Sequence, residues 1–281
     1  MRQVHVEEIR TVVRDLCIQT NCRLAPEVVD TYKRALIAER HPRARSILEQ
    51  MVANAEIACA HSIATCQDTG FGVVFLDIGQ GVQLVGGDLK EAVDCGVGEG
   101  YTAGYLRPSM VSDPVTHDKN TGDNMPSVLY ASIVPGEAVR IRVMAKGGGG
   151  ENGSQIRMMV PADGEEGIVQ FAVEVVRKAG VSSCAPFFVG VGVGGTFEAA
   201  ALIAKKALLR PVGSPSSDPK LAAMEERIMR LANATGIGPM GLGGDTTVLS
   251  VAVDTLPTHI GCLPVAVNLN CHVHRVGEKI I

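Results

Sequence analysis

Ile168-Val-Gln-Phe-Ala-Val-Glu-Val-Val-Arg-Lys178, closed by Gly180, is followed by Phe187-Phe-Val-Gly-Val-Gly-Val193 and then by Phe197-Glu-Ala-Ala-Ala-Leu-Ile-Ala-Lys-Lys-Ala-Leu-Leu209. The first and third pieces place apolar residues at helical spacing, and the second is a continuous apolar run of strand length. A helix, a buried strand and a second helix in one short span point to a chain that mixes both element types.

Outward from this stretch the alternation continues. Pro219–Ala234 predicts a helix with an i,i+4 charged face, and Val248–Val253 and Val265–Leu269 predict two more buried strands. Toward the N-terminus, Val4–Cys17, the segment after Pro26 and Ile47–Val52 predict helices, Phe71–Ile78 a strand, and Leu89–Leu106 a helix with internal glycines. Residues 128–160 are rich in strand signals, with Pro135-Gly136 marking a hairpin turn and Gly147–Gly150 interrupting the sheet. The expected class is α/β in the mixed α+β sense: one domain over 1–281 with two lobes of sheet and helices, about 1–160 and 161–281, and no internal repeat.

Composition bounds the function. A length of 281 residues corresponds to one large domain or two, at roughly 150 residues each. Hydrophobic residues at 46% and charged residues at 20% place the chain among globular proteins. A net charge of −4 gives no bulk attraction to nucleic acid or anionic membrane, and no apolar run approaches the ~18 residues of a membrane span. The expected location is the cytoplasm, where the eight cysteines stay reduced as buried thiols or metal ligands.

Several loops stand out. Cys66-Gln67-Asp68-Thr69-Gly70 sets a thiol, an amide and a carboxylate just ahead of a strand, where loops commonly carry function; an Asx turn beside a buried cysteine reads the same way. Lys146-Gly-Gly-Gly-Gly-Glu-Asn-Gly-Ser154 joins two predicted strands. Four consecutive glycines are costly unless the backbone comes close to something, as when free N–H groups cradle an anion; a hairpin tip is the plainer alternative. Gly190-Val-Gly-Val-Gly-Gly195 matches the dinucleotide fingerprint weakly, because residues 209–217 lack the second strand and its acidic end. Gly236-Ile-Gly-Pro-Met-Gly-Leu-Gly-Gly-Asp-Thr-Thr247 fits ligand approach or loop packing equally. Asn270-Cys-His-Val-His-Arg275 gathers a thiol, two imidazoles and a guanidinium, but without the ligand spacing of a zinc site.

Taken together and in order, Cys66-Gln-Asp-Thr-Gly70, the Lys146 glycine run, Cys184-Ala-Pro with its Gly-Val-Gly run, and the Gly236 loop resemble the alpha subunit of class I, iron–sulfur-dependent fumarate hydratases. Asn120-Thr-Gly-Asp-Asn124 also fits, and the resemblance spans roughly residues 8–275. It implies an iron–sulfur hydro-lyase alpha-type domain whose 4Fe–4S cluster is held by Cys66, Cys184 and Cys271, leaving the fourth iron open as a Lewis acid. It further implies that Gln67, Arg107, Gly149 and His259 line the substrate site, and that Asp68 assists a threonine base lying in a different domain. Arg107 suits bidentate carboxylate binding, although a surface charge at a helix end is its plain reading, as a loop residue is for His259.

Because the chain stops ten residues after Cys271, an obligate beta subunit carrying the second catalytic domain is expected, within a higher oligomer. The expected substrate is a small dicarboxylate, fumarate/L-malate, set ahead of L-tartrate on the wording of the glycine run. A non-catalytic iron–sulfur or nucleotide-binding regulator is the reading from another class, disfavoured by the presence of Asp68 and Arg107.

Overall fold

A computed structural model describes residues 1–281 and resolves the sequence pattern into eight α-helices and ten β-strands. They form two units that share the chain in alternating pieces: unit 1 takes residues 1–25, 55–148 and 275–281, and unit 2 takes 26–54 and 149–274. The main division therefore falls inside the glycine run rather than near residue 160, and neither unit is continuous in sequence.

Unit 1 contains β1 (Arg2–His5), α1 (Val6–Cys22), β2 (Phe71–Gly79), β3 (Val82–Val85), α4 (Leu89–Ala103), β4 (Val128–Val134), β5 (Val139–Lys146) and β10 (Val276–Ile280). Its main sheet has the order β10-β5-β2-β4, while β1 and β3 form a separate parallel pair. Asp88 caps α4 by accepting from Glu91 N at 2.8 Å, satisfying an orphan N–H of the first turn. Ile9, Val13 and Leu16 of α1 and Val93 and Val97 of α4 bury against Val74, Leu76 and Ile78 of β2 and Val139, Ile141 and Val143 of β5. The period-3.6 and period-2 patterns meet in one core.

The structure corrects one turn. Pro135-Gly136 does not close a hairpin, because β2 lies between β4 and β5, pairing parallel with the first and antiparallel with the second. The turn instead passes the end of β2, where Gly79 N and Gly81 N donate to Ala138 O and Gly136 O at 2.8 and 2.9 Å. Alternation predicts a strand but does not name its neighbour.

Unit 2 contains α2 (Pro26–Ala38), most of α3 (Pro42–His61), α5 (Gly148–Gly153), β6 (Gln155–Met159), α6 (Gly164–Ala179), β7 (Phe187–Gly194), α7 (Phe197–Ala207), α8 (Pro219–Asn233), β8 (Val248–Leu256) and β9 (Leu263–Asn270), with sheet order β6-β9-β7-β8. Val189 and Val191 of β7 and Val265, Val267 and Leu269 of β9 share a core with Val169, Val176 and Ile228. On the opposite face, a Cβ at Gly190 would come 2.1 Å from Ala204 O, and one at Gly192 2.2 Å from Ala200 O. The glycines of the weak fingerprint thus let the α7 backbone lie directly on β7, which is close strand–helix packing. The run at Gly147–Gly150 is neither a sheet interruption nor a hairpin tip: it opens the short helix α5, which leads from a strand of one sheet to a strand of the other.

Candidate active site

In unit 1 the loop Cys66–Gly70 feeds directly into β2, and its carboxylate is held on both oxygens. Asp68 Oδ1 accepts from Gly70 N at 2.8 Å and Oδ2 from Gly148 N at 2.9 Å. The Asx turn is therefore real, and the same side chain also reaches the start of the glycine run. Gly70 has φ 70°, and a Cβ there would lie 2.5 Å from Lys146 O, so no other residue fits without displacement.

Four further groups fix this turn. Thr65 N and Oγ1 donate to Asn21 O at 2.9 and 3.0 Å. The buried Tyr101 hydroxyl lies 2.8 and 3.0 Å from the Thr69 and Gly70 carbonyls, and burial pushes its pKa up, keeping it a donor. Asn124, with φ 61°, donates to Gly70 O at 2.7 Å while its Oδ1 accepts from Met110 N at 3.1 Å. Thr69 Oγ1 donates to Arg107 O at 3.0 Å. Arg107 and Asp68 thus belong to one loop cluster, with the side chains of Arg107 and Gln67 exposed.

In unit 2, Cys184 sits just ahead of β7 in the left-handed region at φ 58°, an uncommon conformation for a residue with a Cβ. His272 N donates to Cys184 O at 3.3 Å, so the segments carrying Cys184 and Cys271 are joined. The buried Tyr32 hydroxyl donates to His272 O from below; burial and then the nearby Cys271 charge push its pKa up, which keeps it protonated. Gly149 lies beside the same loop, where a Cβ would meet Ser183 Cα at 3.6 Å. His274 is a satisfied core histidine, stacked on Phe188 with ring centroids 4.6 Å apart and hydrogen-bonded through Nδ1 to Asn270 Nδ2 at 2.9 Å.

His259 is not brought to these residues. Its loop follows β8, where Thr258 Oγ1 donates to Gly195 O at 2.8 Å. Phe188 pairs with Asn270 and Val193 with Val265, so Cys184 and Cys271 mark one end of the sheet and His259 the other. A strand the length of β7 spans on the order of 25 Å at about 3.3 Å per residue. The register therefore puts His259 and the Cys184–Cys271 segments at opposite ends of this sheet.

The cysteines sort by environment. None is in a disulfide. Cys17 is buried and its thiol is pushed up to about 12, and burial raises Cys22 as well, making both poor thiolate ligands. Cys66, Cys184 and Cys271 all reach solvent, as do Cys59, Cys95 and Cys262, so exposure sets aside only the two buried thiols. No three His, Cys, Asp or Glu side chains converge as a site for a single metal ion. An iron–sulfur cluster takes a different donor set, thiolates on separate irons, and the accessible Cys184 and Cys271, on hydrogen-bonded segments, and the accessible Cys66 are of that donor type. No helix is long and apolar enough to cross a membrane.

The Gly236 loop resolves toward packing. The buried Glu39 carboxylate accepts from His41 N, Asp245 N and Thr246 N, each at 3.0 Å. Burial alone would raise its pKa, but the backbone N–H groups of Asp245 and His41 outweigh that and hold it below the usual carboxylate range.

A family model described as Fumarate hydratase (Fumerase) matches residues 10–279. The L(+)-tartrate dehydratase subunit alpha of Escherichia coli O157:H7 is 32% identical over 282 residues, covering 100% of this chain and 93% of that protein, and its counterpart in strain K12 gives the same figures. A putative L(+)-tartrate dehydratase subunit alpha of Methanocaldococcus jannaschii is 34% identical, with 98% of each chain covered.

Proposed function

The chain belongs to the fumarate hydratase family, and from that premise we propose that it is the alpha subunit of a hydro-lyase that dehydrates a small 2-hydroxy dicarboxylate, with L-tartrate as substrate. The observation that carries the hydro-lyase reading is Asp68: a carboxylate gripped by the Gly70 and Gly148 N–H groups, on the same loop cluster as Arg107. The choice of tartrate departs from the substrate expected on the glycine run. Those glycines fit local packing, with Gly147 against Asp68 and Gly153 against Ala179 and Ser183, so their wording does not separate one four-carbon acid from another. Relatives named for tartrate match along almost the whole chain, whereas the description of the family model favours L-malate/fumarate as the second reading.

In this reading Cys66, Cys184 and Cys271 hold a 4Fe–4S cluster, which supplies Lewis-acid polarisation of the departing hydroxyl when bound. Arg107 binds a substrate carboxylate through its guanidinium. The Gly149 N–H and the Gln67 amide hydrogen-bond substrate oxygens. Asp68 assists a threonine base that takes the proton from the carbon next to the hydroxyl, and that base lies on a beta subunit, in keeping with relatives named as alpha subunits. Eight cysteines without a disulfide suit a reducing compartment such as the cytoplasm.

The test is anaerobic assembly with the beta subunit and comparison of kcat/KM for L-tartrate and L-malate. A clear preference for tartrate supports the proposal, a preference for malate moves it to the second reading, and no dehydration of either by the cluster-loaded complex contradicts both.

A further inference from the structure

We propose that Arg275 is the positioning residue of the Asp68 turn, setting the Cys66–Gly70 loop against the start of the glycine run. The inference rests on the hydro-lyase reading only for what the turn does in catalysis.

Arg275 is 2% exposed, among the largest fully buried side chains of the protein, and it forms no ion pair. Its Nη1 donates to Asn21 Oδ1 at 2.9 Å and to the Asp68 carbonyl at 2.6 Å, while its buried Nε has no hydrogen-bond partner. Its own carbonyl accepts from Ala145 N at 3.1 Å, which anchors the residue to β5. A buried guanidinium without a carboxylate partner is expensive, and an orphaned N–H adds to that cost. Such an arrangement persists where the charge serves a local purpose.

Gly147 shows which purpose. A Cβ at that position would lie 3.2 Å from Asp68 Oδ2 and 3.3 Å from Arg275 Nη2, so carboxylate and guanidinium both border the same small space. Arg275 therefore holds the Asp68 residue by a hydrogen bond to its carbonyl and borders the space beside its carboxylate. The hub is closed by Asn21, whose side chain takes Arg275 and whose carbonyl takes Thr65. Residues far apart in sequence thereby fix the turn that presents Cys66, Gln67 and Asp68.

The experiment compares the parent chain with Arg275→Gln by hydrogen exchange of the Gly70 and Gly148 amides, the two donors to the Asp68 carboxylate. Exchange there is expected to rise about tenfold or more while the β7–β9 amides of unit 2 stay unchanged. In the assembled enzyme, kcat is expected to fall by up to roughly 10²-fold, as for a misplacement near 1 Å, with KM changed by less than about threefold and Arg275→Lys recovering part of the loss.

Unchanged exchange at Gly70 and Gly148, or a rise of equal size throughout both units, overturns the proposal. Should Arg275→Gln fail to fold, Asn21→Ala removes the Oδ1 that holds Arg275 Nη1 and is expected to loosen the same two amides; their exchange staying at the parent rate is again contradictory. A local rise in a complex that dehydrates neither L-tartrate nor L-malate would keep Arg275 as a positioning residue and remove the hydro-lyase reading instead.

Discussion

The sheet β10-β5-β2-β4 of unit 1 and the sheet β6-β9-β7-β8 of unit 2 carry the same succession of pairings: antiparallel, antiparallel, parallel. In each, a central strand is entered from a cysteine-bearing loop, Cys66–Gly70 before β2 and Cys184–Pro186 before β7. In each, the antiparallel neighbour ends opposite that entry, Lys146 across from Phe71 and Asn270 across from Phe188. The pairing scheme thus brings an entry loop and an exit loop together twice, joined by Asp68 to Gly148 N in one unit and by His272 N to Cys184 O in the other.

The two junctions differ in what holds them. The first is gripped by Asn21, Tyr101, Asn124 and Arg275, a set of hydrogen bonds suited to fixing a carboxylate. The second relies on a left-handed Cys184 and the Tyr32 hydroxyl beneath His272, and it carries two accessible thiols. The lesson is that one pairing scheme is held in two ways, with a hydrogen-bonded carboxylate on the first junction and two accessible thiols on the second.

The sharpest way to break this contrast is Asp68→Asn. It keeps an oxygen for one backbone N–H but removes the charge, and kcat is expected to fall about 10²- to 10⁴-fold with the cluster content unchanged; loss of cluster in this variant would erase the distinction between the junctions. Next comes Gly190→Val, which drives a side chain into the Ala204 carbonyl. Urea unfolding should show a loss of about 1–3 kcal/mol or more from overpacking. NAD should give no thermal shift on the parent chain, since those glycines are occupied by α7.

A smaller effect is expected from Tyr32→Phe, which leaves the His272 carbonyl without its buried donor at a cost of about 1–3 kcal/mol or less. Slower cluster loading with little change in the Asp68 turn would sharpen the comparison.

The smallest effect belongs to Glu39→Gln, whose carboxylate binds backbone N–H groups and touches neither Asp68 nor a candidate ligand cysteine. Because the folded pKa of Glu39 is lowered, its contribution is present above the unfolded carboxylate pKa and is lost as pH falls through the folded value. The variant should flatten the acid side of the stability–pH curve and leave neutral activity intact.

Long periodic segments were legible in the sequence: α1, α2, α6, α7 and α8, and the apolar runs of β2, β7, β8 and β9, lie within a few residues of their expected places. The strands β1, β3 and β10 were not, because Arg-Gln-Val-His and Val-Gly-Glu-Lys-Ile lack both length and alternation. Sheet order was hidden for a different reason: which strand lies beside β2 depends on contacts far away in sequence. The shared pairing scheme leaves no repeat in the sequence because the fourth strand is β10, after the others, in one unit and β6, ahead of them, in the other.

At the site, the motif loops declared themselves through glycines and clustered polar residues, but their supports did not. Nothing in the sequence singled out Tyr32, Tyr101 or Asn21 as supports. Arg275, inside the Asn270–Arg275 stretch, and Asn124, inside Asn120–Asn124, carried a visible signal. His259 shows the converse limit, since the resemblance suggested a role and the strand register puts it at the far end of its sheet.

The most direct measurement is iron and acid-labile sulfide per chain after anaerobic reconstitution, in parallel on the parent and on Cys184→Ser. About four of each in the parent and a clear loss in the variant is the predicted result. Neither iron nor sulfide in the parent would contradict the account.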